Sequence, residues 1–193
     1  LGRALSRLNA RESGHREGLA LLLEGRPGIG KTTLVTRVIA RLQQEGVEVA
    51  GFTTREIRIA GNRAGFEVER IGGPAAVLAH VDLPGPPRVG RYGVDLAAFE
   101  KVALPSLQEP SDVVVIDELG SMELASKSFV DAVSRLLAND RPLLASVHMR
   151  RHPVTDRIKN DRSVTVLRID ASNRDQLVEE ISRRLLVSVR GIG

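Results

Sequence analysis

A glycine-rich segment near the start of the chain follows the phosphate-binding pattern G-x-x-x-x-G-K-[ST]. Residues 25–32 read Gly-Arg-Pro-Gly-Ile-Gly-Lys-Thr, the apolar run 19–24 precedes them, and an amphipathic stretch at 31–45 follows. A buried strand, a glycine loop and a helix N-terminus in this order surround an anion with backbone N–H groups. The sequence therefore predicts a P-loop that holds a nucleotide by its phosphates.

The residue types in this loop each have a predicted task. Glycines at 25, 28 and 30 permit backbone angles that other residues avoid, so that successive N–H groups turn inward. Lys31 brings an ammonium group to the β- and γ-phosphates, and Thr32 offers its hydroxyl to Mg²⁺. The predicted nucleotide contacts are Gly25, Arg26, Pro27, Gly28, Ile29, Gly30, Lys31, Thr32 and Thr33.

Apolar runs alternate with amphipathic stretches along the rest of the chain. Such alternation is typical of an α/β fold with a mainly parallel sheet, right-handed crossovers and helices on both faces. Ligands of these sheets bind at the carboxyl ends of the strands, and the P-loop follows such an end. The predicted strands are 19–24, 47–53, 113–116, 143–147 and 164–169, and the predicted helices are 31–45, 95–107, 126–138, 154–159 and 173–187.

A different pattern occupies the middle of the chain. Residues 55–71 alternate apolar and polar side chains around a Gly61-Asn62 turn, which predicts a β-hairpin with one polar face. With a short strand at 75–80, this hairpin is expected to form a small antiparallel unit that flanks the main sheet. A loop rich in proline and glycine follows at 82–91 and ends in basic residues. Two interpretations of the loop stand: contact with phosphate or base, or a plain connector.

An acidic pair follows the third predicted core strand. Residues 113–116 are all β-branched, and Asp117 and Glu118 come directly after them, as in a Walker B motif. Asp117 is predicted to hold Mg²⁺ or a water bound to it, and Glu118 to orient or deprotonate the attacking water. A general base directly after the carboxylate that holds Mg²⁺ favours transfer of the phosphoryl group to water over its transfer to another acceptor.

Composition narrows the class of protein further. Of the 193 residues, 42% are hydrophobic, which is enough for a buried core. The formal net charge is +4, which is compatible with anionic partners. The absence of cysteine excludes disulfides, thiol nucleophiles and cysteine metal sites. No apolar run has the length of a membrane span, so we expect a cytoplasmic protein without membrane contact. We predict a basic N-terminal extension at 1–17 and a P-loop NTPase domain at 18–193.

Several short segments of the chain occur in a characteristic order. They are Gly25–Leu34, Gly51–Thr54, Arg63–Phe66, Arg88–Tyr92, Ile116–Glu123, Arg157–Lys159 and Asn173-Arg174. Together they resemble a family of small nucleoside-triphosphatases of thermophilic microbes, whose animal members are called cancer-related NTPases. The resemblance implies a RecA-like P-loop core, Mg²⁺ as cofactor, and hydrolysis of ATP, GTP, CTP and UTP to the diphosphate and phosphate with broad base choice.

By position, the resemblance also implies a second nucleotide-binding segment. Glu118 matches the catalytic carboxylate of the family, and Lys31 is the second catalytic candidate. Thr32 and Asp117 are the candidate metal ligands, and we expect a monomer. The second segment comprises Ile116, Asp117, Glu118, Leu119, Gly120, Ser121, Met122 and Glu123.

The motifs do not identify a cation for the transition state, and they leave two other functions open. His148 and His152 lack metal-ligand spacing with carboxylates and are interpreted as ordinary surface or loop residues. One open function is a nucleotide-dependent RNA-binding switch that binds nucleic acid weakly; the net positive charge of the chain motivates it. The other is a kinase that phosphorylates a nucleotide or small molecule. The candidate cations are Arg55, Arg58, Arg63, Arg91 and Lys159.

Overall fold

The computed structural model describes residues 19–191, and the predicted N-terminal extension at 1–17 lies outside them. In this part of the chain, nine strands form one sheet with five helices. The strands are β1 (Ala20–Gly25), β2 (Val49–Ile59), β3 (Asn62–Arg70), β4 (Ala75–His80), β5 (Arg88–Val89), β6 (Tyr92–Val94), β7 (Val113–Leu119), β8 (Leu143–His148) and β9 (Val164–Arg168). The helices are α1 (Lys31–Gln44), α2 (Leu96–Gln108), α3 (Lys127–Leu137), α4 (Pro153–Lys159) and α5 (Arg174–Arg190).

The strand order across the sheet is β5-β6-β4-β3-β2-β7-β8-β1-β9. Strands β2, β7, β8, β1 and β9 run parallel to one another. This half of the sheet confirms the predicted α/β fold. Because parallel strands end at a common carboxyl edge, the P-loop after β1 and the acidic pair near the end of β7 lie at the same edge.

The predicted hairpin and the short strand after it are present as the antiparallel strands β2, β3 and β4, and they continue the main sheet. Strand β2 is continuous: its residues 49–53 pair with β7, and its residues 52–59 pair with β3. The predicted end of the second core strand at Thr53 was wrong, because that strand runs on to Ile59. The alternation of side chains continues through that point, so one strand serves both halves of the sheet.

The loop predicted at 82–91 includes β5, which forms a short hairpin with β6 at the outer edge of the sheet. Six strands separate β5 from β1, the strand that leads into the P-loop. Arg88 donates hydrogen bonds to the carbonyls of Leu83 and Arg91. The Arg91 guanidinium lies 5.2 Å from the centroid of the Tyr92 ring. These contacts agree with the connector interpretation of the loop.

Apolar cores cover both faces of the sheet, as predicted. Helices α1 and α5 pack on one face, where Val38 and Ile181 are fully buried. Helices α2 and α3 pack on the other, where the rings of Phe52, Phe99 and Phe129 lie 5.1 to 5.7 Å apart. Burial of each such side chain contributes roughly 1.5–3 kcal/mol to the stability of the fold. The two cores therefore hold the strand ends at the carboxyl edge in place. None of the helices within 19–191 is long and apolar enough to cross a membrane.

Candidate active site

The P-loop connects the buried strand β1 to helix α1. Gly28 and Gly30 have φ angles of 75° and 102°, in the left-handed region that glycine tolerates best. Gly25 lies outside that region, and a Cβ atom there would be 2.4 Å from Cγ2 of Ile169. The reason predicted for Gly25 was therefore wrong: glycine is required at this position because the segment after β9 packs directly against it.

Helix α1 presents its N-terminus to the loop. Gly30 is the N-cap residue and makes no side-chain cap, and no acidic residue lies in the first turn. The first N–H groups of a helix have no partner within it, and the helix dipole adds positive potential at the same place. Thr32 and Thr33 are exposed here. The N-terminus of α1 is thus suited to bind an anion.

Lys31 is the buried cation of the site. It is 6% exposed, and its Nζ donates a hydrogen bond to the Gly25 carbonyl at 3.2 Å. The same Nζ lies 3.3 Å from Oε2 of Glu118. The P-loop lysine and the predicted catalytic carboxylate therefore form an ion pair, which brings the two sequence motifs into one cleft.

Asp117 lies beneath this pair and is fully buried. Its Oδ1 accepts a hydrogen bond from the Ser146 hydroxyl. Burial raises the pKa of the Asp117 carboxyl, and the neighbouring hydroxyls of Ser146 and Thr32 oppose that rise. Its Oδ2 is buried and has no hydrogen-bond partner among the residues described. An unpartnered carboxylate oxygen in such a place is costly unless a ligand completes it.

The donors around Asp117 suit a hard cation. Carboxylate and hydroxyl oxygens are the ligands that Mg²⁺ prefers, and Mg²⁺ usually keeps several waters and binds substrate phosphates. Within residues 19–191, no group of three or more His, Cys, Asp and Glu residues could hold a metal by itself. Asp117 and Thr32 therefore fit a Mg²⁺ ion that binds together with phosphates, and do not form a protein cage for a resident metal.

Glu118 differs from Asp117 in its access to water. Its side chain is 29% exposed, whereas Asp117 is 0% exposed. A Cβ atom on Gly120 would lie 3.3 Å from Oε1 of Glu118, so the glycine leaves room for this carboxylate. Two adjacent acids thus have separate environments: Asp117 faces the interior, and Glu118 meets the solvent at the mouth of the cleft.

Glu123, the last member of the predicted second segment, is only 4% exposed and begins a 3-10 turn at Glu123–Ala125. Burial raises the pKa of Glu123 to about 8, and the nearby charges of Glu118 and Asp117 also raise it. Glu123 therefore carries its proton at neutral pH. A Cβ atom on Gly120 would lie 2.5 Å from Oε2 of Glu123, so this acid packs directly against the glycine.

The other members of the segment lie in the core or in a turn. Ile116 and Leu119 are buried in the core beneath α2 and α3, and Met122 packs on the same core. Ser121 is exposed in the turn that follows β7. Of the segment 116–123, the structure therefore places Asp117 and Glu118 beside Lys31, and uses the apolar members to anchor the strand that carries them.

Two residues of β8 belong to the site and were not predicted. Ser146 binds Asp117, and a serine within the apolar run Leu143–Val147 was a signal for it. His148 ends β8 in register with Gly25, the first residue of the P-loop pattern. It is 9% exposed, so its interpretation as a surface residue was wrong. Burial lowers the pKa of His148, and the charge of Glu118 opposes that change.

The candidate transition-state cations all make contacts elsewhere among the residues described. Lys159 is the most buried of them, and its Nζ lies 2.7 Å from Oε1 of Glu24. His152, by contrast, lies in a loop and accepts a hydrogen bond from the Val154 N–H at the start of α4. The arginine contacts are those of Arg55 with Glu67 and Glu69, of Arg58 and Arg63 with Glu56, and of Arg91 with the Arg63 carbonyl.

Known proteins are similar in sequence to this chain over most of its length. A family model described as NTPase matches residues 20–182. The chain is 43% identical over 171 residues to nucleoside-triphosphatase THEP1 of Methanopyrus kandleri, covering 86% of this chain and 94% of the relative. It is 36% identical over 166 residues to nucleoside-triphosphatase THEP1 of Thermotoga sp. (strain RQ2), covering 84% of this chain and 93% of the relative.

Two solved structures share the fold. The crystal structure of THEP1 from Aquifex aeolicus has a TM-score of 0.76 at 30% identity, covering 86% of this chain and 98% of that one. The solution structure of a human cancer-related nucleoside triphosphatase has a TM-score of 0.75 at 37% identity, covering 86% of this chain and 96% of that one. Both the P-loop and the acidic pair fall within the range of the family model.

Proposed function

The chain belongs to the NTPase family, and on that premise we propose that it is a Mg²⁺-dependent hydrolase of ATP, GTP, CTP and UTP. The products are the nucleoside diphosphate and phosphate. Nucleoside-triphosphatase is the activity named for its relatives. One observation of this chain supports the proposal above others: Lys31 and Glu118 form an ion pair at the N-terminus of α1, and the buried Asp117 lies close to both charges.

The triphosphate binds where the positive groups of the P-loop converge. The N–H groups at the start of α1 and the Lys31 ammonium surround the β- and γ-phosphates. Lys31 exchanges its contact with Glu118 for a contact with phosphate, and this frees the carboxylate. Thr32 and Asp117 would hold Mg²⁺, which would neutralise charge on the phosphate oxygens when bound.

Glu118 then acts on water. Its carboxylate stands at the mouth of the cleft, where it accepts a hydrogen bond from a water and takes its proton during attack. A bond forms between the water oxygen and the γ-phosphorus, and the bond to the β–γ bridging oxygen breaks. Lys31 stabilises the negative charge that develops on the leaving diphosphate. Asp117 and Ser146 hold the position of β7 beneath the reacting groups.

Hydrolysis is preferred over the two rival functions. A kinase uses a site for a second substrate and does not need a solvent-accessible carboxylate beside the P-loop lysine. The partial exposure of Glu118 favours water as the acceptor. The RNA-binding hypothesis rests on the basic net charge. The arginines Arg55, Arg58 and Arg63 on β2 and β3 are paired with neighbouring glutamates, which reduces the positive charge they offer to RNA.

Phosphate release tests this proposal directly. The protein is incubated with each of ATP, GTP, CTP and UTP, with Mg²⁺ or with a chelator, and with or without single-stranded RNA. We expect release from all four nucleotides within about tenfold of one another, loss of release in chelator, and no change with RNA. Release that persists in chelator, or a phosphorylated acceptor in place of free phosphate, would contradict the proposal.

A further inference from the structure

His148 has no task in the mechanism above, although it lies in the middle of the carboxyl edge. It is the last residue of β8, the strand between β1 and β7 in the sheet. The P-loop follows β1, and β7 carries Asp117 and Glu118 near its end. His148 is in register with Gly25, where the P-loop pattern begins. It therefore lies between the two halves of the site.

The alternation of side chains along β8 decides which way His148 faces. Val147 packs in the core beneath α2 and α3, whereas Leu144 packs in the core beneath α1 and α5. Side chains two positions apart on a strand share a face, so Ser146 and His148 lie on the face of α1. Ser146 accordingly reaches Asp117. His148 follows on the same face, one step closer to the carboxyl edge and to the N-terminus of α1.

The imidazole of His148 is buried and lacks a hydrogen-bond partner. The residue is 9% exposed, and its Nδ1 makes no hydrogen bond to any residue within 19–191. The backbone of the residue is held firmly, because its carbonyl accepts a hydrogen bond from Nζ of Lys159 at 3.2 Å. Buried polar atoms without a partner are rare in folded proteins. This nitrogen therefore indicates a contact that a ligand completes.

The charges that act on the ring are those of the Lys31–Glu118 pair. Burial lowers the pKa of His148 below its ordinary value of 6.5, and the charge of Lys31 adds to this effect while that of Glu118 opposes it. The ring is therefore neutral at pH 7 and has one N–H group to donate. Because both charges act on it, the ring lies close to the place where phosphate and water are expected to meet.

Resting on the function proposed above, we propose that His148 donates a hydrogen bond from Nδ1 to the terminal phosphate of the nucleoside triphosphate. Of the three phosphates, only the terminal one lies between the P-loop lysine and the water that Glu118 activates. A diphosphate has no group at this place and leaves the imidazole without a partner. His148 thus distinguishes the substrate from the product and favours departure of the diphosphate.

The binding of a triphosphate and of a diphosphate tests this role without turnover. Dissociation constants are measured by titration calorimetry in Mg²⁺ for the β,γ-imido analogue of ATP and for ADP. His148→Leu fills the site with a side chain that has no hydrogen-bonding atom. We expect it to weaken the analogue by about 10- to 100-fold, as for loss of a hydrogen bond to a charged group, and ADP by less than about twofold. A merely structural role would weaken both ligands alike.

Three further variants make the comparison specific. His148→Ala cannot overfill the site and should show the same difference between the analogue and ADP. His148→Asn has an amide N–H as many bonds from the backbone as Nδ1–H, so it should bind the analogue within about threefold of wild type. Met149→Ala changes the next residue, which is 51% exposed, and is the control that should match wild type with both ligands.

Thermal stability gives a readout that moves in the opposite direction. Leucine at position 148 removes an unpartnered polar atom from the interior, and such an atom destabilises the folded state. Without ligand, the Tm of His148→Leu should therefore equal or exceed the wild-type Tm, although the variant binds the triphosphate analogue more weakly. A Tm well below that of wild type, together with equal weakening of both ligands, would show a structural role and overturn the proposal.

The same measurements separate this proposal from the proposed function. Wild-type affinity of His148→Leu for the analogue would overturn the role of His148, whereas phosphate release by the wild-type protein would still support hydrolysis. Conversely, a wild-type protein that releases no phosphate, but whose preference for the analogue over ADP depends on His148, would reject the hydrolase and leave the contact in place.

Discussion

The Nζ atom of Lys31 lies 3.3 Å from Oε2 of Glu118. The proposed mechanism uses both groups in hydrolysis, yet in this structure they pair with each other. A triphosphate that enters the P-loop competes for the lysine and releases the carboxylate toward water. In the proposed mechanism the pair therefore couples substrate binding to release of the base.

Loss of the P-loop lysine should weaken binding and catalysis together. Lys31→Ala removes the ammonium group from the phosphates, and a hydrogen bond to a charged group is worth about 1.5–3 kcal/mol. We expect nucleotide affinity about 10- to 100-fold lower and kcat lower by at least that factor. Titration with a fluorescent nucleotide and phosphate release measure the two effects. Lys101→Ala, at an exposed position on α2, serves as the control, and wild-type affinity in Lys31→Ala would contradict the assignment.

Lys159 should prove a structural residue and not the transition-state cation. Its ammonium group pairs with Glu24 at 2.7 Å, and the Glu24 side chain is 9% exposed. Lys159→Ala leaves that carboxylate with Arg168 as its remaining partner, so we expect a loss of about 1–3 kcal/mol in the free energy of unfolding near neutral pH. Phosphate release by the folded variant should stay within about threefold of wild type, whereas loss of a catalytic arginine finger costs about 10³-fold or more.

The cost of Lys159→Ala should depend on pH with a definite sign. Burial raises the pKa of Glu24, but the hydrogen bonds and charges of Lys159 and Arg168 outweigh it and hold the pKa below the ordinary value of 4.5. The stabilisation is present above that value and is lost as pH falls through the pKa of the folded state. Chemical denaturation should show that the difference in free energy of unfolding between wild type and Lys159→Ala becomes smaller in acid. Arg184→Ala, which breaks a half-exposed pair with Glu180, should lose under about 0.5 kcal/mol.

Glu123 gives a second pH dependence of opposite sign. Burial raises its pKa to about 8, from an ordinary value of 4.5. Between these values the folded protein binds a proton that the unfolded chain releases, so this group makes stability fall as pH rises, by at most about 1.4 kcal/mol per pH unit. Glu123→Gln removes the dependence. In chelator and without nucleotide, the Tm of Glu123→Gln should rise relative to the wild-type Tm as pH rises toward 8. Parallel pH profiles of the two Tm values would contradict the assignment of Glu123 as buried and protonated.

The parts of the site that are local in sequence could be predicted, and the parts set by tertiary contacts could not. The P-loop at 25–32 and the acidic pair at 117–118 each follow a strand, and the alternation of strands and helices brings their ends to one edge. The burial of Glu123 and of His148 is set by how the elements pack, and no local pattern in the sequence shows it. No spacing rule indicates that Lys159 is held by Glu24, which is 135 positions earlier in the chain.

The misjudged elements have the same origin. Residues 49–59 form one strand because both of its edges find partners, β7 on one side and β3 on the other. Its residues change from mostly buried to mostly exposed after Phe52, and the matching change from apolar to polar residues was taken for the end of the strand. Likewise, the glycine at position 25 serves close packing with Ile169, a contact that only the fold creates.

Substitution of Glu118 by glutamine tests the central claim most directly. Glu118→Gln keeps the size of the side chain, removes the base and relieves its repulsion of the phosphates. We predict a nucleotide dissociation constant equal to or below that of wild type, with kcat for phosphate release lower by about 10²-fold or more. The control is Glu179→Gln, whose side chain is 62% exposed on α5 and which should match wild type in both measurements. Release of phosphate by Glu118→Gln at the wild-type rate would contradict the assignment of Glu118 as the base.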